Sequence, residues 1–132
     1  MKIRYYTDKE LELLNKNMFV KEVHLKRRIE YDVVFKLWCI MMRLEFPELT
    51  GKDIFLKAGF DVDMLHNDLP YRRIADWVKN YNKFGLNYFL PDLEPYHSLD
   101  VKNVKKDDLF KTRLLSFILI RLKELDSNEK SY

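Results

Sequence analysis

A mainly α-helical fold is expected from three observations. Apolar residues recur at three- and four-residue spacing in several stretches, and two of these open on Thr-x-x-acid signatures, Thr7 to Glu10 and Thr50 to Asp53. Gly is confined to three residues of 132, and Gly59 and Gly85 fall where a helical pattern ends. The helical spacing is broken in one early stretch, 19–31, which reads as a short β-hairpin or extended arm.

Composition sets the class. Hydrophobic residues make up 47% and aromatics 14% of the chain, enough for a real core, so intrinsic disorder is excluded. The single Cys39 lies in the apolar run 37–42 and reads as a small buried hydrophobe. The net charge of +3, from 24 basic and 21 acidic residues, permits contact with nucleic acid without demanding it. The N-terminus carries no apolar secretory segment, and Leu114 to Leu122 is too short to span a bilayer, so a cytoplasmic protein without a membrane span is expected.

The elements follow in order. Thr7 caps a short helix with Leu11, Leu14 and Met18 on its apolar face, ending near 16 or 17. The arm 19–31 carries Lys26, Arg27 and Arg28 at its tip. Asp32 caps a helix over 33–45, which Pro47 ends. Thr50 opens a short helix burying Ile54, Phe55 and Ala58 and stopping at Gly59. A linker, 60–67, holds Met64 and Leu65 as apolar pegs. Asp68 and Pro70 then start a helix over 69–83, which buries Ile74, Trp77, Val78 and Tyr81 and is closed by Gly85. Residues 86–107, with Pro91 and Pro95, show no clean period and read as a linker folded over the surface. Asp107 or Asp108 caps a last helix, 109–126, apolar around most of its circumference and therefore buried in this domain or against another chain. The expected organisation is a domain over 1–85, the linker 86–107, and a C-terminal helix with a frayed tail over 108–132, the helix serving packing or dimerisation.

Catalytic and metal signatures are missing from the sequence. His24, His66 and His97 stand in no metal-ligand spacing, and no Gly-rich phosphate loop or nucleophile elbow occurs. His97 among Asp92, Glu94 and Asp100, and His66 among Asp61, Asp63 and Asp68, read as loop residues and caps rather than acid/base pairs. No cofactor, no metal and no enzymatic activity are expected. What remains is an arrangement of three helices, 33–45, 50–58 and 69–83, in the order of a tri-helical, homeodomain-like helix-turn-helix. In such domains the third helix enters the major groove. Its outward face would be Arg72, Arg73, Asp76, Lys79, Asn80 and Lys83, with Lys26, Arg27 and Arg28 as a second, backbone-contacting arm.

The chain from Tyr6 to Gly85 resembles small helix-turn-helix proteins, related to insertion-sequence transposase regulators, of Gram-positive bacteria and their mobile elements. The residues that carry the resemblance are Tyr6-Thr7, Leu14, Asn17, Val20 and Val23; Ile29-Glu30-Tyr31; Phe35-Lys36; Ile54-Phe55, Ala58-Gly59-Phe60; and Pro70, Trp77, Lys79, Tyr81 and Gly85. It implies a sequence-specific DNA-binding protein or accessory factor of a mobile element, with double-stranded DNA as partner. Leu69 and Asp76 stand where such relatives carry Arg, and Val78 where a basic residue is common. A second reading therefore stays open: a phage or mobile-element module on the same scaffold that inhibits or recruits a host protein through its C-terminal segment. In the first reading, helix 109–126 would pair two chains into a homodimer.

Overall fold

A computed structural model describes residues 5–97 and 105–130. The order of elements is α1 (Asp8–Lys16), β1 (Val20–His24), β2 (Arg28–Tyr31), α2 (Val33–Glu45), α3 (Gly51–Lys57), α4 (Leu69–Phe84), α5 (Leu90–His97) and α6 (Lys106–Lys130), with 3-10 turns at Val62–Met64 and Gly85–Phe89. The protein is mainly helical, with one two-stranded antiparallel sheet. No helix among the described residues is long and apolar enough to cross a membrane.

Local signals explain where elements begin. Thr7 and Thr50 both form reciprocal capping boxes, with Glu10 and Asp53. Asp32 accepts from the Val34 amide at 2.9 Å and caps α2. The strands pair Val20 with Tyr31 and Val23 with Ile29, with an irregularity in register at Lys21. The hairpin turns through Leu25 and Lys26, both at positive φ (53° and 57°), while the Arg27 amide donates to His24 O at 3.1 Å. That is the turn whose twist suits a hairpin, held here without glycine. The Tyr6 amide, donating to Lys26 O at 2.7 Å, ties the turn to the N-terminal segment.

α2 lies at the centre, with Val34, Phe35, Leu37, Cys39 and Ile40 fully shielded from solvent. Around Phe35 stand the rings of Phe19, Tyr31, Trp38, Phe55, Phe60 and Trp77, with centroids 5.0 to 6.1 Å from its own. α4 packs on α2 and α3, and α6 packs along α2. A Cβ on Gly51 would lie 2.7 Å from the Tyr71 amide nitrogen, so the start of α3 meets the start of α4 at backbone distance.

Several expectations change here. Asp68 occupies the cap position of α4 but makes no capping bond; its carboxylate pairs instead with His66 Nδ1 and with Arg72 Nε. The linker over 60–67 is as expected, held down by Met64 and Leu65 together with Phe60, and it is longer than the three- or four-residue turn of a helix-turn-helix. Residues 86–97, expected as part of a surface linker, form a 3-10 turn and α5. They are fixed by Phe89 and Leu93, each 1% exposed. Burying one such side chain contributes roughly 1.5–3 kcal/mol, which offsets the hydrogen bond that Pro95 removes inside the helix. The last helix starts at Lys106, so Asp107 and Asp108 lie in its first turn rather than at its cap. It is not buried all round either: Leu115, Ile118 and Leu122 face the core, while Phe110, Phe117 and Ile120 are 51%, 57% and 62% exposed. Residues 98–104 of the expected linker, among them Asp100 and Lys102, and the side chain of His97 lie outside what is described.

Candidate nucleic-acid interface

The nominated residues of α4 divide between two sides of the helix. Arg72, Lys79 and Lys83 are exposed and share one stripe with Asp76, since spacings of three, four and seven residues return to the same face. Arg73 and Asn80 are not the fully exposed residues that spacing predicts; both are half-buried, Arg73 on the side turned toward the hairpin beside the buried Trp77.

Arg73 shares a cleft there with His24, Arg28, Ile29, Glu30, Tyr31, Lys36 and Trp77. The structure thus brings Arg28 and Arg73 to one place. Lys26 and Arg27 project, exposed, at the hairpin tip. The Tyr31 hydroxyl is buried without a hydrogen-bond partner, and burial pushes its pKa up.

Two of the arginines have acids nearby. Arg72 Nε is 3.5 Å from Asp68 and Arg73 Nη1 is 3.8 Å from Asp76. Both pairs are solvent-exposed and long, so they compete weakly with a polyanion. Lys79 makes no ion pair among the described residues. Lys83 Nζ sits 5.2 Å above the Phe84 ring.

On the other side of the outward stripe, a groove is lined by Arg43, Tyr71, Ile74, Ala75, Val78, Lys79, Asn82 and Lys83, with no carboxylate among them. Spacing on α4 alone misses Arg43, which comes from the last turn of α2 and is oriented by donating to Leu49 O at 2.7 Å. Tyr71, 65% exposed, is likewise outside the pattern of cations; its signal is an aromatic beside Pro70 on the outward side of the helix.

The hairpin adds a cluster that residue spacing hides. His24 Nε2 lies 2.8 Å from Glu30 and 3.8 Å from Glu22, because the register sets Glu22 opposite Glu30. The hydrogen bond from His24 holds the Glu30 carboxyl below its ordinary pKa, with Lys21 and Lys36 adding to the effect. One imidazole and two carboxylates within 4.8 Å of one another are donors that a divalent cation accepts. Here the imidazole is hydrogen-bonded to Glu30.

No protein family, curated protein or solved structure matches the chain. The residues behind the resemblance noted above have structural work in this fold. Asn17 donates to Ala58 O at 3.1 Å and accepts from the Phe19 amide at 2.8 Å, tying the end of α1 to the end of α3. Ile54, Phe55, Phe60 and Trp77 are core, and Gly59 takes φ 88° to end α3.

Proposed function

We propose that this protein binds double-stranded DNA through α4, on a scaffold in which α2, α3 and α4 follow in the order of a tri-helical helix-turn-helix with a lengthened connection before α4, and that it serves a mobile element in that capacity. The observation that carries the reading is the groove along α4, whose lining has three cations, Arg43, Lys79 and Lys83, and no acid. A phosphate backbone meets such a wall without repulsion, and Tyr71, Ala75 and Val78 offer apolar contact to sugars and thymine methyls. Arg72, exposed on the same stripe as Lys79 and Lys83, is the guanidinium that would reach base edges, while the half-buried Asn80 would reach adenine only after its side chain turns outward. Lys26, Arg27 and Arg28 on the hairpin give a second contact to the backbone.

The test is fluorescence anisotropy of the full chain with a pool of random duplexes, followed over a salt series. Binding at low salt that weakens steeply with salt is expected, and Lys79→Ala/Lys83→Ala should lower the salt slope by about two. The reading fails if no complex forms at low salt.

A second reading rests on the apolar floor of the same groove, which phosphate contacts do not require, and on Asp76 within the outward stripe. An acidic amphipathic segment of another protein would fit cations around an apolar strip. On this reading the protein is a phage or mobile-element module acting on a host protein, and the duplex titration stays flat.

A further inference from the structure

α6 carries two apolar seams. One, at Lys111, Leu115, Ile118 and Leu122, is buried against α2 and the core. The other runs through Lys106, Phe110, Arg113, Phe117, Ile120 and Glu124, stepping by alternating four and three residues, and every one of these six is exposed. That step is the repeat by which one helix presents a continuous face to another. Large apolar side chains spaced along one exposed face in this way are more than scattered surface hydrophobics.

We infer that this outer seam pairs with the same seam of a second copy, the two α6 helices running antiparallel about a two-fold axis level with Leu115. The seam is self-complementary in that register and direction. Phe110 meets Ile120 of the partner subunit, each five residues from Leu115. Arg113 meets Phe117 of the partner subunit, a guanidinium against a ring face. Lys106 meets Glu124 of the partner subunit, so both ends of the contact close with opposite charges. A parallel pair would place Lys106 against its own copy and Glu124 against its own copy, and like charges would oppose each other at both ends. A two-fold contact of one patch with itself is the commonest way for a chain to form a closed dimer. This pairing does not depend on the DNA reading, since none of its residues lies on α4 or the hairpin.

Sedimentation equilibrium on the full chain tests it. The expected mass is twice 16.1 kDa. Phe117→Ser should give a monomer with unchanged helical circular dichroism, because the side chain is exposed in the single chain, and with an unfolding midpoint that no longer rises with protein concentration. Lys106→Glu should raise the dissociation constant at least about tenfold by setting two carboxylates face to face. This variant leaves intact the pair between Glu124 and Arg121 Nη1 at 2.7 Å. The double variant Lys106→Glu/Glu124→Lys should restore tight pairing. A chain that stays at 16.1 kDa at every concentration overturns the proposal, as does a double variant that associates no better than Lys106→Glu alone.

Discussion

Lys111 Nζ on α6 lies 3.2 Å from Asp32 Oδ2, the carboxylate that caps α2, across 79 residues of chain. Lys111 is 9% exposed, and it also donates to Met18 O at 3.2 Å; the Tyr96 hydroxyl donates to the same Asp32 oxygen at 2.6 Å. One carboxylate thus ties the starts of α2 and α6 to α5, and Lys111 adds the end of α1. Burial and the bond to Asp32 push the Tyr96 pKa up, so the donor stays protonated. Lys111→Met leaves Asp32 short of a cation in a partly shielded site and should cost about 3 kcal/mol in urea unfolding. A loss under about 1 kcal/mol would show that solvent already supports Asp32.

Gly51 sets a second expectation. Its Cβ position is 2.7 Å from the Tyr71 nitrogen and 2.9 Å from the Pro70 carbonyl carbon, both backbone atoms that cannot rotate aside. Gly51→Ala should therefore push α3 from α4 and destabilise the chain by about 1–3 kcal/mol, despite alanine's better helix propensity. If the midpoint of thermal unfolding rises, the two helices do not approach this closely.

Glu30 predicts a pH dependence. Its pKa in the folded chain is below the ordinary 4.5, so the native state binds fewer protons than the unfolded one as pH falls. The contribution is complete above 4.5 and is lost as pH drops through the lower, folded value. Urea titrations of the protein and of Glu30→Gln should differ near neutrality and converge in acid. A difference that grows on acidification contradicts the pairing with His24.

Cys39 is buried, and burial pushes its thiol pKa well up. A thiol reagent at neutral pH should label it only as fast as the chain opens, with the labelled fraction rising along the urea unfolding curve. Rapid labelling of the native protein would mean that the centre of α2 is accessible.

Sequence reasoning read the first half of the fold closely because its signals are local. Thr7, Asp32, Thr50 and Gly59 act within one helical turn of where they stand, and α2 covers the expected 33–45. It failed where long-range packing decides. Pro91 and Pro95 read as breakers, yet Phe89 and Leu93 draw 90–97 into a helix against the core. The apolar residues of α6 could not be divided by periodicity into a core side and an outer side, since both repeat at helical spacing. In the candidate interface, the exposed cations Arg72, Lys79 and Lys83 were legible from spacing. The half-burial of Arg73 and Asn80, the arrival of Arg43 from α2, and the meeting of His24 with Glu30 all depend on which elements lie side by side.

The docking of α6 bears on how the chain is made. Asp32 receives its cation from Lys111, and α2 is covered by Leu115, Ile118 and Leu122, all far downstream of α2 in the chain. A ribosome adding roughly 5–20 residues each second exposes the apolar side of α2 well before those residues emerge. The nascent polypeptide therefore completes this interior only after residues 111–122 have emerged, and products stalled or truncated before them present α2 to chaperones and proteases.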